Sequence, residues 1–381
     1  MNILLIPDKF KGSLTAEAVI RALKEGLYAI DPSISTHVIL ASDGGEGFLE
    51  AVHRYLQPAR MVCTTVDPLG RPIEAPYLLD KTQKTAYIEL ARASGLELLA
   101  PGDRKVMETS TYGTGLQIRH ALQNGATRIC LGLGGSATND AGTGIAAALG
   151  CKFYNQSGEI ALPRGKDLIE ITDIHFGDRN KAISFIAVND VQNPLFGKKG
   201  AACTYGKQKG ATETQVKQLD AGLRHISDLV REKTGKDLAL LPGSGAAGGT
   251  AYGLKAFLDT EYISGIEFIL GLTDFFELIS TRKIDCIITG EGKIDRQTLH
   301  GKLIKGITSI AARHHIPVLA ICGKLDLDAH EIKELGLSAA IEIRDTGRSD
   351  DYNFTHAAAL IRRKLPKLVG DFIQDCHTGT K

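Results

Sequence analysis

Apolar positions along the chain fall into short runs that obey two different periods. Residues 2–6 form one apolar run, followed by a polar loop over 7–12. Beyond it, apolar residues over 16–30 recur at helical spacing, with Ser13 or Thr15 available as the cap. Ser13 stands four residues before Glu17, close to a capping box. A second strand is expected over 36–40, ending in a glycine-rich acidic loop at 42–47, and a helix over 48–55.

From residue 62 the texture changes. The runs 62–66, 73–79 and 85–90 are strand-like and are separated by turn residues such as Pro68 and Gly70, which predicts an antiparallel section. Next the pattern predicts a helix over 115–124, a strand over 128–133, a glycine-rich loop and a small-residue helix over 145–149. A strand over 183–188 runs into a polar loop at 189–197, then a surface helix over 211–233 and a second glycine-rich turn at 242–253. After residue 284 a simple alternation returns: strand 285–289, loop 290–295, helix 302–314, strands 318–322 and 339–343, and a C-terminal helix from about 354. Strands alternating with helices imply a mostly parallel sheet. The expected fold is therefore α/β: a discontinuous Rossmann-like domain from 1–60 and 266–381, with a second α/β domain inserted at 61–265. The active site is expected in the interdomain cleft.

Composition narrows the function. The chain has 381 residues, enough for two domains. Its 43% hydrophobic and 23% charged residues are ordinary globular usage and exclude disordered and fibrous classes. Forty-five basic residues against 44 acidic ones leave a net charge of +1, and there is no tryptophan. Without a basic stripe, neither nucleic acid nor a membrane surface is an expected partner. The apolar runs are strand-sized, far short of a membrane span. The N-terminus lacks a basic region before its apolar run, so it reads as a first strand and not a signal peptide, which implies a cytoplasmic protein. Seven widely spaced cysteines, with no C-x-x-C or H-E-x-x-H, give no support to zinc and are expected to be reduced and largely buried. Glycine is the outlier at 42 residues, in clusters that mark tight turns or close approach of backbone to something else.

Ligands of open α/β sheets bind on the loops beyond the carboxyl ends of strands. Five such loops carry chemistry. The loop from Pro7 to Ser13 brings Asp8, Lys9 and Lys11 to a helix start, an anion-binding combination. Asp43 and Glu46, flanked by glycines, suit a magnesium ion held by one or two carboxylates together with phosphate oxygens. The third loop runs from Gly132 through Gly134, Gly135, Ser136, Ala137 and Thr138 to Asn139 and Asp140. It exposes successive amide donors and two hydroxyls before a small-residue helix, a phosphate cradle in which Asn139 and Asp140 would bind metal or orient substrate. In the fourth, Asp190 can accept a substrate proton or hold metal, with Asn193 nearby. The fifth joins Glu291, Lys293 and Asp295 on glycine-softened backbone.

Any one of these loops alone could be a capped turn. Taken together, the five supply glycine, carboxylate and lysine, which is what phosphoryl transfer needs: positioning, metal and positive charge. The segment Gly243–Gly248 also satisfies G-x-G-x-x-G, but it lies far from the first βα unit. It reads as backbone approaching a phosphate or carboxylate through Gly245 and Gly248, not as a dinucleotide fingerprint.

At these loops the sequence resembles the bacterial type I glycerate kinases. The resemblance is carried by PDKFKGSLTA (7–16), SDGGEG (42–47), YGTG (112–115), GLGGSATNDAG (132–142), NDVQNPLFG (189–197), YGKQKGA (205–211), GSGAAGG (243–249) and TGEGKID (289–295), in family order. It implies ATP- and Mg2+-dependent phosphorylation of glycerate, usually to 2-phosphoglycerate, by a monomer or homodimer. Two departures stand out: the family often has cysteine at 189 and F-G-P-Q-K-G-A at 205–211. On this reading Asp190 and Lys9 are catalytic. Lys11, Gly134, Gly135, Ser136, Ala137, Thr138, Gly245 and Gly248 bind phosphate, and Asn139, Asn193 and Lys209 bind substrate. Asp43, Glu46, Asp140, Glu291 and Asp295 form the pool of magnesium ligands. The alternatives are an NAD-dependent hydroxy-acid dehydrogenase built on the 243–248 turn, a sugar-acid sensor without catalysis, and a kinase for another small hydroxy-acid.

Overall fold

Strand β1 (Asn2–Pro7) is buried from Ile3 onward, the continuous apolar run of a strand covered on both faces. The computed structural model describes residues 1–10, 12–40, 48–177, 182–281, 284–299 and 303–378. The chain divides into two compact units, Met1–Asp43 with Ile266–Lys381, and Gly44–Gly265. The sequence-based boundary at 60 and this division differ by the helix Phe48–Leu56. Phe48 packs where a Cβ on Gly132 would fall, 2.8 Å from its ring, so the helix sits on the second unit's own sheet.

In the first unit, β1 leads to the helix Ala16–Ile30, capped by Thr15, whose side chain accepts from Ala18 N at 3.2 Å. Strand β2 (Ser35–Val38) then pairs parallel to β1. The second unit carries the β3–β4–β5 meander at Ala59–Val66, Pro72–Asp80 and Thr85–Glu89. It continues with β6 (Arg128–Gly132), a small antiparallel sheet of β7 (Lys152–Asn155), β8 (Gly158–Glu159) and β9 (Asp173–His175), then β10 (Ser184–Val188) and β11 (Glu261–Ile263). Its main sheet has the order β11-β10-β6-β5-β4-β3, parallel from β11 to β5 and antiparallel from β5 to β3. The chain then returns to the first unit with β12 (Cys286–Ile294), β13 (Val318–Leu325) and β14 (Ala339–Glu342).

The first unit's sheet is all parallel in the order β14-β13-β12-β1-β2. Numbered 1 to 5 in chain order, these strands run 2-1-3-4-5. That is the flavodoxin-like doubly wound order, a strand order that the sequence pattern does not specify. The order reverses between β1 and β12, which makes their carboxyl ends the switch point. Side chains alternate across the sheet. Ile3, Leu5, Cys286 and Ile288 join the core under the helices Ala16–Ile30 and Ala357–Thr378, while Leu4, Ile6 and Ile287 join the core of the opposite face. Burying each such aliphatic side chain contributes about 1.5–3 kcal/mol.

Two segments depart from the sequence pattern. The expected loop at 290–295 is largely the end of β12, with Glu291 paired to Cys322 and Lys293 to Lys324. Gly290 and Gly292 do not loosen the chain there; a Cβ on Gly290 would overlap the carbonyl of Ile321, so glycine lets adjacent backbones close up. The expected turn at 242–253 enters a helix, Ala246–Leu258, whose start contains left-handed Ala247, Gly248 and Gly249. Among the described cysteines, Cys63, Cys130, Cys151, Cys286 and Cys322 are buried and Cys203 is exposed. No helix among the described residues is long and apolar enough to cross a membrane.

Candidate active site

In the first unit the switch point brings the β1 and β12 loops together. Asp8 N donates to Gly290 O at 2.8 Å, and Lys9 N donates to the Asp8 carboxylate at 2.6 Å. Beside them Glu291 is half-buried and accepts from Thr298 Oγ1 at 2.7 Å. Burial, helped by Asp8 and Asp295, pushes the Glu291 carboxyl up to about 7 against the pull of Thr298. Asp295 pairs with Lys293 at 2.8 Å, and Lys293 also reaches Asp326 at 3.1 Å. Of the residues expected here, Lys9, Glu291 and Asp295 are described, while Lys11, Asp43 and Glu46 lie outside the described residues. Asp8, expected only as part of the anion-binding loop, and Thr298, which carried no expectation, join the group. Thr298 acts locally, seven residues from Glu291, whereas Asp8 reaches the group through the β1–β12 pairing, which no local pattern reports.

In the second unit three of the expected loops converge. β5, β6 and β10 end level with one another: Glu89 pairs with Gly132, and Gly132 with Val188. Ala141 N donates to Gly248 O at 3.2 Å and Gly245 N to Asn193 O at 2.9 Å, which ties the loops at 132–142, 189–197 and 243–249 to one another. Gly248 has φ +68°, and a Cβ there would overlap the Thr138 carbonyl; Gly245 would meet the Pro194 carbonyl in the same way. Both glycines therefore admit neighbouring protein backbone. Gly134 and Gly135 are exposed at the tip of their loop, Ala137 is buried, and Ala137 N donates to Ser94 O at 2.9 Å.

Under this loop lies a buried polar cluster. Lys209 is 3% exposed, and its Nζ donates to Ser136 Oγ at 2.7 Å and to Thr138 O at 2.8 Å. Burial pushes its ammonium down to about 7, with Asp140 pulling the other way. Asp140 is fully buried and accepts from Thr111 N at 2.7 Å, Thr111 Oγ1 at 2.8 Å, Gly142 N at 3.2 Å and Gly144 N at 3.3 Å. Burial raises its carboxyl, opposed by these donors. The start of the helix Thr143–Ala148 is thus occupied by an internal carboxylate. In this arrangement the Asp140 carboxylate is engaged by the protein's own donors beside the short helix. Thr138 Oγ1 and both side-chain atoms of Asn139 are buried without a protein hydrogen-bond partner. Polar groups in that condition call for a ligand or water.

Asp190 is half-buried and accepts from Gly265 N at 2.8 Å through Oδ1. Asn193 faces other protein groups: its amide donates to Lys199 O at 2.7 Å and accepts from Tyr205 Oη at 2.8 Å, so it braces its loop. Tyr205, one of the two departures noted in the sequence, makes that brace.

The segment Gly243–Gly248 follows a turn and no strand, which removes the strand–loop–helix context that a dinucleotide fingerprint requires and with it the dehydrogenase reading. Residues 3–372 match the model of the glycerate kinase family. The chain is 41% identical over 345 residues to a glycerate kinase of Halalkalibacterium halodurans, covering 90% of each chain. It is 37% identical over 348 residues to the glycerate 2-kinase of Escherichia coli, again covering 90% of each. A crystal structure from Salmonella typhimurium LT2, provisionally named glycerate kinase 2, superposes with a TM-score of 0.77 at 35% identity over 99% of both chains. Matched from residue 3 to residue 372, and at 35–41% identity across nine-tenths or more of these relatives, the chain belongs to the glycerate kinase family.

Proposed function

We propose that this kinase transfers the γ-phosphoryl group of ATP to a hydroxyl of glycerate, with Mg2+, to give 2-phosphoglycerate. The observation that carries the reading is the carboxylate group around Glu291 at the switch point of an all-parallel sheet, in a chain of this family. In the reaction the acceptor hydroxyl gives its proton to Asp190, through the carboxylate oxygen that Gly265 does not engage. The hydroxyl oxygen bonds to the γ-phosphorus, and the bond from that phosphorus to the β–γ bridging oxygen breaks, releasing ADP. Lys9 and Lys11 hold the triphosphate. The exposed loop tip at Gly134 and Gly135, with Ser136, Thr138, Asn139 and Lys209 behind it, orients the acceptor.

The donor set fits magnesium. It is made of hard carboxylate oxygens, and a bound cation would offset both the burial that chiefly raises Glu291 and the smaller repulsion from Asp8 and Asp295. Among the described residues no three His, Cys, Asp or Glu side chains form a metal cage. Glu291 and Asp295, with Asp43 and Glu46, would hold it, and when bound it would neutralise phosphate charge as the leaving group departs. A cytoplasmic location, where ATP is abundant, belongs to the same reading.

The test is incubation with Mg-ATP and D-glycerate, followed by phosphorus NMR of the product. Resonances of 2-phosphoglycerate and ADP are expected. A 3-phosphoglycerate product would change the acceptor hydroxyl, and ATP left intact would end the reading.

A further inference from the structure

The proposed site provides for the phosphates of ATP but leaves the base without a partner. Phe354 lies next to the phosphate loop of the first unit and is 50% exposed. Its backbone is held firmly. Ser13 Oγ donates to Phe354 O at 2.6 Å, across 341 residues of sequence. Its helix, Asp350–Thr355, is capped by Ser349, whose hydroxyl accepts from Tyr352 N at 3.2 Å. Asn353 is tied to Asp345 in both directions, accepting from Asp345 N at 2.7 Å and donating to Asp345 O at 3.1 Å.

The ring itself is uncovered. Gly12 has φ +78°, and a Cβ there would sit 3.6 Å from Phe354 Cε1, in contact with the ring edge. Glycine at this position therefore leaves room beside the ring. The neighbouring aromatic is already engaged: Tyr352 stacks on His356 at 4.0 Å between centroids, and Arg348 lies 5.2 Å from the Tyr352 centroid. Phe354 has no ring contact of this kind among the described residues. A single exposed ring is ordinary on a protein surface; what marks this one is its fixed backbone and its place against the phosphate loop, where it offers a face for stacking. Here it lies against Gly12 and Ser13 of the lysine-bearing loop assigned to the triphosphate.

We propose that Phe354 is the face on which the adenine of the bound nucleotide stacks. This rests on the assignment of the Asp8–Ser13 loop to the nucleotide phosphates. Aromatic stacking accepts any base, so the contact sets affinity more than base identity.

The test separates base from phosphate. The chain has no tryptophan, so Phe354→Trp introduces a single reporter. Its fluorescence should respond saturably to ADP and not to inorganic tripolyphosphate, which has no base. Phe354→Ala should weaken ADP roughly tenfold by calorimetry and leave tripolyphosphate affinity unchanged. Tyr28→Ala, another exposed aromatic, serves as the control and should change nothing. ADP bound by Phe354→Ala within twofold of the parent, or tripolyphosphate weakened equally, would overturn the stacking role. Absence of ADP binding to the parent protein would overturn it too. A protein that loses ADP affinity on Phe354→Ala yet never phosphorylates glycerate would keep this contact and refute the proposed reaction.

Discussion

Lys209 Nζ donates to Ser136 Oγ at 2.7 Å, joining residues 73 positions apart in the chain. Its second bond, to Thr138 O, fastens the same loop from below. With its ammonium depressed to about 7, Lys209 is charged in the unfolded chain at pH values where the folded protein holds it neutral.

Lys209→Met leaves the Thr138 carbonyl buried without its donor and should cost about 1–3 kcal/mol at pH 7. The pH dependence has a definite sign. Between about 7 and the ordinary 10.5 the unfolded state binds more protons, so this group makes stability rise with pH, by at most about 1.4 kcal/mol per pH unit. Denaturant titrations at pH 7 and pH 9 should show the parent gaining on the methionine variant. An unchanging gap between the two would mean that Lys209 titrates normally.

Glu291 has the opposite sign, because its carboxyl is raised from 4.5 to about 7. Across that window the folded state holds the extra proton, so this group makes stability fall as pH rises. A cation that displaces the proton should bind more tightly as pH climbs toward 7. The magnesium concentration for half-maximal activity should therefore drop between pH 5.5 and 7.5. In Glu291→Gln it should be higher and nearly flat with pH; a variant with the parent's magnesium profile would take Glu291 out of the metal site.

Asp190→Asn keeps an oxygen to accept from Gly265 N but cannot take a proton, so turnover should fall by roughly 10²-fold or more with little change in Tm. Asp190→Ala removes the acceptor as well and should lower both. Steady-state rates beside thermal melts distinguish the two cases, and near-parental turnover in the asparagine variant would exclude Asp190 as base.

Gly248→Ala puts a side chain into the Thr138 carbonyl from a left-handed backbone, where strain alone is worth about 1–3 kcal/mol. Lower Tm and lower kcat are expected together, since the loop at 132–142 must shift. Gly102→Ala is the comparison: nothing lies within 4 Å of its Cβ, and it should be neutral.

Much of this molecule is written locally. The apolar run at 3–6, the helical spacing over 16–30 and the paired turns between β3 and β5 each specify an element through a period of two or 3.6 residues. The glycine-bearing loops could likewise be placed at strand ends, because glycine and short polar residues mark turns whatever the tertiary context. Residue identity also carried the family, since eight loop motifs in order are legible without coordinates.

Partners were another matter. Asp140 and Glu291 look alike in sequence, each an acidic residue near glycines. Yet folding surrounds one with four protein donors and buries the other with a single donor, Thr298, beside the like charges of Asp8 and Asp295. Asn193 was expected to face substrate, and Tyr205 and Lys199 take its amide. Strand order, and with it the switch point between β1 and β12, follows from which edges meet after β12 returns to the first unit. Local periodicity reports which face of an element is apolar, but a carboxylate's role depends on donors supplied by segments tens to hundreds of residues away. Only the closed fold brings those segments within hydrogen-bonding reach.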